Sequence, residues 1–137
     1  MPDIEIAHLV DRFMRRIHAA LNEKAPEFDT HSVGPGGGIL LLTLAEAEPM
    51  RIQDLVRRMA RDKSQITRAV STMERKGLIQ RRSDPDDGRG RVLALTPEGR
   101  QTVRVLQGAV AGVLGEILAP LSDLEQGALR EMLRRIE

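Results

Sequence analysis

A chain of 137 residues with 21 Lys+Arg against 20 Asp+Glu is long enough for one domain with a real core, and its net charge alone singles out no partner. Phe13 and Phe28 are its only aromatic residues, so the core must be aliphatic, a composition that suits packed helices. The absence of cysteine excludes disulfides, thiolate metal sites and thiol-based sensing.

The N-terminus has neither the basic start nor the apolar run of a signal peptide. The longest apolar stretch, residues 105–121, is broken by Gln107 and Glu116 and is short for a membrane span. A soluble cytoplasmic protein with no membrane partner is the expectation. Ile6, Leu9, Val10, Phe13, Met14, Ile17 and Leu21 recur at three- and four-residue spacing and predict an amphipathic helix over 4–24. Residues 31–38 read as a breaker, with the glycines of 34–38 as a flexible joint. No strand precedes that run and no Lys-Ser/Thr follows it, which argues against a phosphate-binding loop.

Residues 39–47 predict a compact apolar helix ended near Pro49, and residues 52–59 a short helix turning Ile52, Leu55, Val56 and Met59 inward. The next helix opens at Asp62, where Asp62 and Gln65 have the spacing of a capping box. It turns Ile66, Ala69, Val70 and Met73 inward and ends at Gly77 as a left-handed cap. Residues 78–83 and 92–95 are short enough for the strands of a hairpin. Thr96-Pro97 then starts a long helix, Thr as N-cap and Pro in the first turn.

That helix turns Val103, Leu106, Val110, Val113, Leu114, Ile117 and Leu118 inward. Gly108 and Gly112 within it either admit a close helix neighbour or are merely tolerated. Ser122 to Glu125 forms a second capping box before a last helix carrying Leu124, Met132, Leu133 and Ile136. The terminal helices hold more apolar surface than one small lobe can cover, which predicts a homodimer.

Charge is unevenly spread. Residues 51–91 hold 12 Lys+Arg against 6 Asp+Glu, and the remainder 9 against 14. A basic middle between acidic arms suggests a polyanion-binding module. The two helices of 52–77 have the helix-turn-helix arrangement. Ser64, Gln65, Thr67, Arg68 and Ser71 give the second helix a polar face, with Lys63 beside it. Arg suits guanine and Gln suits adenine in a major groove, while Ser, Thr and Lys suit phosphates. Arg89 and Arg91 tip the hairpin, where arginine can enter a narrow minor groove. Asp87 would waste attraction if it faced DNA, so it is expected to pair with Arg89 or to accept backbone N–H bonds that brace the loop. His8 and His18 lie ten residues apart on one predicted helix, roughly 15 Å by helical rise, too far to share a metal ion. No catalytic residues, cofactor or metal site are expected.

Asp62-Lys63-Ser64, Thr67-Arg68, Met73-Glu74-Arg75-Lys76-Gly77-Leu78-Ile79 and Arg81 lead into Asp84-Pro85-x-Asp87-x-Arg89 and then Leu95-Thr96-x-x-Gly99. In these motifs the chain resembles the MarR family of bacterial transcriptional regulators. The resemblance implies a mainly α fold with a small β-hairpin wing: a single domain over 1–137, with a winged helix-turn-helix DNA-binding lobe at 39–99. Residues 1–33 and 100–137 would be dimerisation helices. It further implies that Lys63, Ser64, Gln65, Thr67, Arg68, Ser71, Arg89 and Arg91 contact double-stranded DNA and that Asp87 braces the wing. A homodimer would then repress transcription from a pseudo-palindromic operator. A small-molecule effector would act through a cleft between the dimerisation helices and the lobe; with so few aromatics, stacking on a flat phenolic one would be poor. The alternative is an adaptor that keeps the winged fold without binding DNA.

Overall fold

The computed structural model describes residues 3–137. Within them the order is α1 (Ile4–Phe28), α2 (Gly34–Ala47), α3 (Ile52–Met59), α4 (Lys63–Arg75), β1 (Ile79–Ser83), β2 (Arg91–Leu95), α5 (Pro97–Ile117) and α6 (Asp123–Arg135). The strands pair antiparallel, with Ile79 opposite Leu95 and Ser83 opposite Arg91. Among the described residues, no helix is long and apolar enough to cross a membrane.

The core lies where α2 meets α3, α4, the hairpin and α5. Leu40, Leu41 and Leu44 of α2 are fully buried against Leu55, Ile66, Val70, Leu78, Leu93 and Leu95. Burying each such side chain contributes about 1.5–3 kcal/mol relative to leaving it exposed. Residues 52–59 form the expected helix, and Ala60 after them adopts a left-handed conformation at the turn (φ 50°). Gly77 takes φ 77° in the turn between α4 and β1, as a left-handed cap requires. Thr96 caps α5 by accepting from Gly99 N–H, and Ser122 and Glu125 complete their capping box.

Three expectations need correction. First, α1 runs through Pro26 to Phe28 rather than stopping near residue 24. A proline so close to the C-terminal end removes little of the backbone ladder, and Phe28 packs against the core. Second, Asp62 and Gln65 make no capping box: Asp62 stands at the N-cap without a side-chain cap bond and accepts instead from the Ser64 hydroxyl at 2.6 Å.

Third, the glycine run is no joint. It forms the opening turns of α2, and Gly37 and Gly38 are buried. Asp29 starts this helix, its two carboxylate oxygens accepting from Val33 N–H at 2.8 Å and Gly34 N–H at 3.0 Å. Gly34 turns the chain with φ 70°. A β-carbon at Gly37 would stand 3.1 Å from Val33 Cβ and 3.2 Å from Met73 Cε, so glycine there lets α2 press against α4. Gly108 and Gly112, for which two readings stood open, have nothing within 4 Å of a β-carbon built on them, so they admit no close neighbour from within this chain.

The outer helices are half-finished as core. No residue of α1 or α6 is buried. Ile4, Ile6, Leu9, Val10 and Met14 of α1 are exposed, as are Leu124, Met132, Leu133 and Ile136 at the other end of the chain. In α5, Val103, Leu106 and Val113 are buried, whereas Val110, Leu114 and Ile117, and Leu118 just after it, are only half-buried.

Two glycine substitutions separate a packed strut from a slack joint. Gly37→Leu should lose about 1–3 kcal/mol in a denaturant titration by overpacking against Met73 and Val33. Gly36→Ala, whose β-carbon meets only Arg61 Nη1 at 3.9 Å, should gain about 0.5–1 kcal/mol through helix propensity. A slack joint would leave both unchanged.

Candidate nucleic-acid interface

Helix α4 is amphipathic by its own spacing. Ile66, Val70 and Met73 fix its inner face in the core, which turns Lys63, Ser64, Gln65, Thr67 and Arg68 to solvent. Ser71 lies further round and is half-buried. The Thr67 hydroxyl donates to the Lys63 carbonyl at 2.8 Å. Ser64, Arg68 and Ser71 follow one another at four- and three-residue steps and so form a single stripe. The helix N-terminus beside Lys63 adds unsatisfied backbone N–H groups, which favour anions.

The hairpin tip is shaped by its own carboxylates. Asp84 N–H donates to the Gly90 carbonyl at 2.9 Å, and Gly90 N–H to the Asp87 carbonyl at 2.9 Å. Asp84 Oδ1 accepts from Asp86 N–H at 2.9 Å, and Asp87 Oδ1 from Arg89 N–H at 3.1 Å. Of the two roles open to Asp87, the structure has the backbone one: it holds the peptide of Arg89 while the guanidinium stays exposed. Arg91 begins β2, also exposed.

Arg51 is the residue that sequence reasoning passed over. It occupies the N-cap position of α3 without making a cap bond, since a guanidinium offers no acceptor for the helix N–H groups. A backbone bridge between Met50 and Leu93 holds this point of the chain beside β2. From there Arg51 Nε and Nη2 reach Asp84 Oδ2 at 3.1 and 2.6 Å, and Nη2 reaches Asp87 Oδ2 at 3.5 Å. The guanidinium fills the space a β-carbon at Gly90 would need. Asp84 is only 13% exposed. The Asp86 backbone N–H first, and then the Arg51 guanidinium, hold its carboxyl below the usual carboxylate range. An arginine standing where a helix wants a Ser, Thr or Asp was the signal available in the sequence.

Ion pairing sorts the lobe's cations. Arg51, Arg57, Arg58 and Arg81 pair with Asp84, Asp54, Glu46 and Glu74 respectively, and Lys76 donates to the His31 carbonyl at 2.7 Å. Among the described residues, Arg61, Lys63, Arg68, Arg75, Arg82, Arg89 and Arg91 pair with no carboxylate within the chain. These belong to the turn before α4, to α4 and to the wing.

The family model for MarR matches residues 39–90, from within α2 to the wing. A protein of Thauera aromatica, named for transcriptional regulation of the hcr operon, is 35% identical over 107 residues. That match covers 78% of this chain and 64% of the Thauera protein, so this chain spans just under two thirds of that relative's length. The structure of a probable transcriptional regulator from Pseudomonas aeruginosa is 32% identical, with a TM-score of 0.75 and 96% of each chain covered. CouR of Rhodococcus jostii, solved bound to p-coumaroyl-CoA, is 25% identical with a TM-score of 0.80, covering 96% of this chain and 90% of that one. Sharing both fold and residues with such relatives along nearly its whole length, the chain belongs to the MarR family.

Proposed function

We propose that this protein is a sequence-specific DNA-binding transcriptional regulator, a repressor working in the cytoplasm as a homodimer on a pseudo-palindromic operator and modulated by a small-molecule effector. The observation that carries this reading is the sorting of charge. Within the lobe Arg51, Arg57, Arg58 and Arg81 are paired inside the chain, while Lys63, Arg68, Arg89 and Arg91 are left exposed beside exposed Ser64 and Gln65. On this reading the polar stripe of α4, including Ser71, enters the major groove. Thr67 and Lys63 meet phosphates, Arg89 and Arg91 flank the minor groove, and Asp87 braces the wing. The lobe is residues 39–99, and the arms are 1–33 and 100–137. The exposed apolar residues of α1 and α6 support dimerisation, and a dimer would set two recognition helices roughly 34 Å apart, one turn of duplex. The relative solved with p-coumaroyl-CoA supports the effector.

The direct test is recovery of bound genomic fragments followed by fluorescence anisotropy at several salt concentrations. A specific complex whose affinity falls steeply with salt is expected; its absence at low salt would leave the adaptor reading in place. On the recovered site, Arg68→Ala should cost about 1–3 kcal/mol and relax preference at one base position. A loss equal on all sequences would make Arg68 a phosphate contact instead.

Arg51 should act through Arg89. Arg89→Ala should weaken binding most on sites with A·T-rich flanks. Arg51→Thr, which supplies the missing helix cap, should produce the same flank-dependent loss without lowering the unfolding midpoint. In the Arg89→Ala background Arg51→Thr should then cost nothing more, whereas additive losses would separate the two residues.

Acid should loosen the wing. Because the folded state depresses the Asp84 pKa, its contribution is complete above the ordinary value of 3.8 and is lost as pH falls through the lower folded value. Hydrogen exchange of the wing amides, corrected for intrinsic rates, should lose protection across that acid range. Asp84→Asn should show the lower protection already at neutral pH.

A further inference from the structure

A cleft of about 170 Å³, room for a small ligand, lies between α1, α2 and α5. Its walls are Ile17 and Leu21 of α1, Ile39 and Leu42 of α2, and Leu106 and Val110 of α5. The near wall is bare because α2 enters as a glycine run: Gly34 and Gly38, four residues apart, both line the cleft. A β-carbon on Gly34 would have nothing within 4 Å, and one on Gly38 only the methyl ends of Leu106 at 3.9 Å. Any larger side chain at Gly38 would therefore project into the cleft.

The chemistry of the walls restricts the occupant. No lysine or arginine lines the cleft, so a buried carboxylate or phosphate would find no counter-ion there. Asp29 is the one charged group lining it, and both its oxygens are held by the N–H groups that open α2. It would repel an entering anion. His18 and Asn22, one turn apart on α1 and exposed, supply hydrogen-bonding groups at the mouth. Phe28 supplies the single phenyl ring in the lining.

On the opposite side of the same turns, Gly37 presses on Met73 of α4. We infer that Gly34 and Gly38 hollow this cleft for an uncharged, largely aliphatic effector with one hydrogen-bonding end. We infer also that α2 passes its binding to α4 through the Gly37–Met73 contact. This rests on the proposed reading of an effector-modulated DNA-binding protein.

The test uses 1-octanol and octanoate, which share a chain length and differ in charge, each competing with the uncharged fluorophore N-phenyl-1-naphthylamine on the full-length protein. Octanol should displace the fluorophore at least about tenfold more readily than octanoate. Gly38→Leu should abolish saturable binding of all three while circular dichroism and the unfolding midpoint hold. Leu21→Lys, which places a cation in the wall, should reverse the preference toward octanoate. Tighter octanoate binding to the wild type, or undiminished binding to a folded Gly38→Leu, overturns the assignment. Octanol should also change wild-type affinity for the recovered operator by about threefold or more and leave Gly38→Leu unaffected. Binding in the cleft with no change in operator affinity overturns the relay alone. Binding in the cleft by a protein that grips no DNA overturns the regulatory reading and leaves the ligand assignment standing.

Discussion

Helix α2 packs against α1, α3, α4, α5 and β2, and a helix with so many neighbours has no room for side chains all round its entry. Its first five residues are Gly34, Pro35, Gly36, Gly37 and Gly38, followed by Ile39 and three consecutive leucines. In the bare turns the backbone itself is the packing surface, and Met73 comes within contact of Gly37 without an intervening side chain. In the leucine turns the side chains supply the core: Leu40, Leu41 and Leu44 are fully buried. The helix is started by Asp29, whose carboxylate meets the orphan N–H groups at its entry. A glycine run would have poor helical stability in isolation. Here tertiary packing and one acceptor hold it.

The wing solves a different problem, that of holding an exposed, arginine-rich loop in one shape. A surface ion pair is worth little by itself, yet Arg51 and Asp84 meet through two guanidinium nitrogens with Asp84 mostly covered. The Asp86 backbone N–H holds the other carboxylate oxygen of Asp84, and the Arg89 N–H that of Asp87. The clamp begins in the segment before α3 and ends in the wing, so the two parts of the lobe cannot drift independently. Five acidic residues engage Arg51, Arg57, Arg58 and Arg81, and what survives unpaired in the lobe is concentrated where the proposed function needs it. Net charge by segment is thus a blunt indicator, because pairing decides which cations count.

Much of this was legible in the sequence because periodicity and capping chemistry are local. The spacing of Ile52, Leu55, Val56 and Met59, the Thr96-Pro97 entry to α5 and the Ser122–Glu125 box all emerge as read. The failures have a common cause in tertiary context. Glycine propensity favoured a joint at 34–38, and only Met73, some thirty-five residues away, explains why a helix there needs glycine. Asp62 has the spacing of a capping box, but the Ser64 hydroxyl takes its carboxylate. Arg51 looked like one more surface cation until the hairpin brought Asp84, 33 residues on, to meet it. The inward stripes of α1 and α6 are genuine apolar faces, though a single chain leaves them open.

The same spacing rule connects the two ends of the regulatory proposal. Positions 34 and 38 lie about one helical turn apart and share a face, while position 37 points roughly a hundred degrees away from 38. A run of glycines therefore strips two faces of α2 at once, the one lining the cleft and the one touching α4. Had only the cleft face been bare, a side chain at 37 would hold α4 away and cushion any displacement of α2. With both bare, an effector that shifts α2 meets no compressible layer before Met73, because close-packed interiors transmit small shifts rather than absorb them. Gly37 costs helix propensity that Ala would restore, yet even a β-carbon there is tighter than ordinary van der Waals contact. Pressure for stability alone would favour filling the cleft side at Gly38, where there is room. That both positions are glycine is what a helix serving as wall to one site and support to another requires.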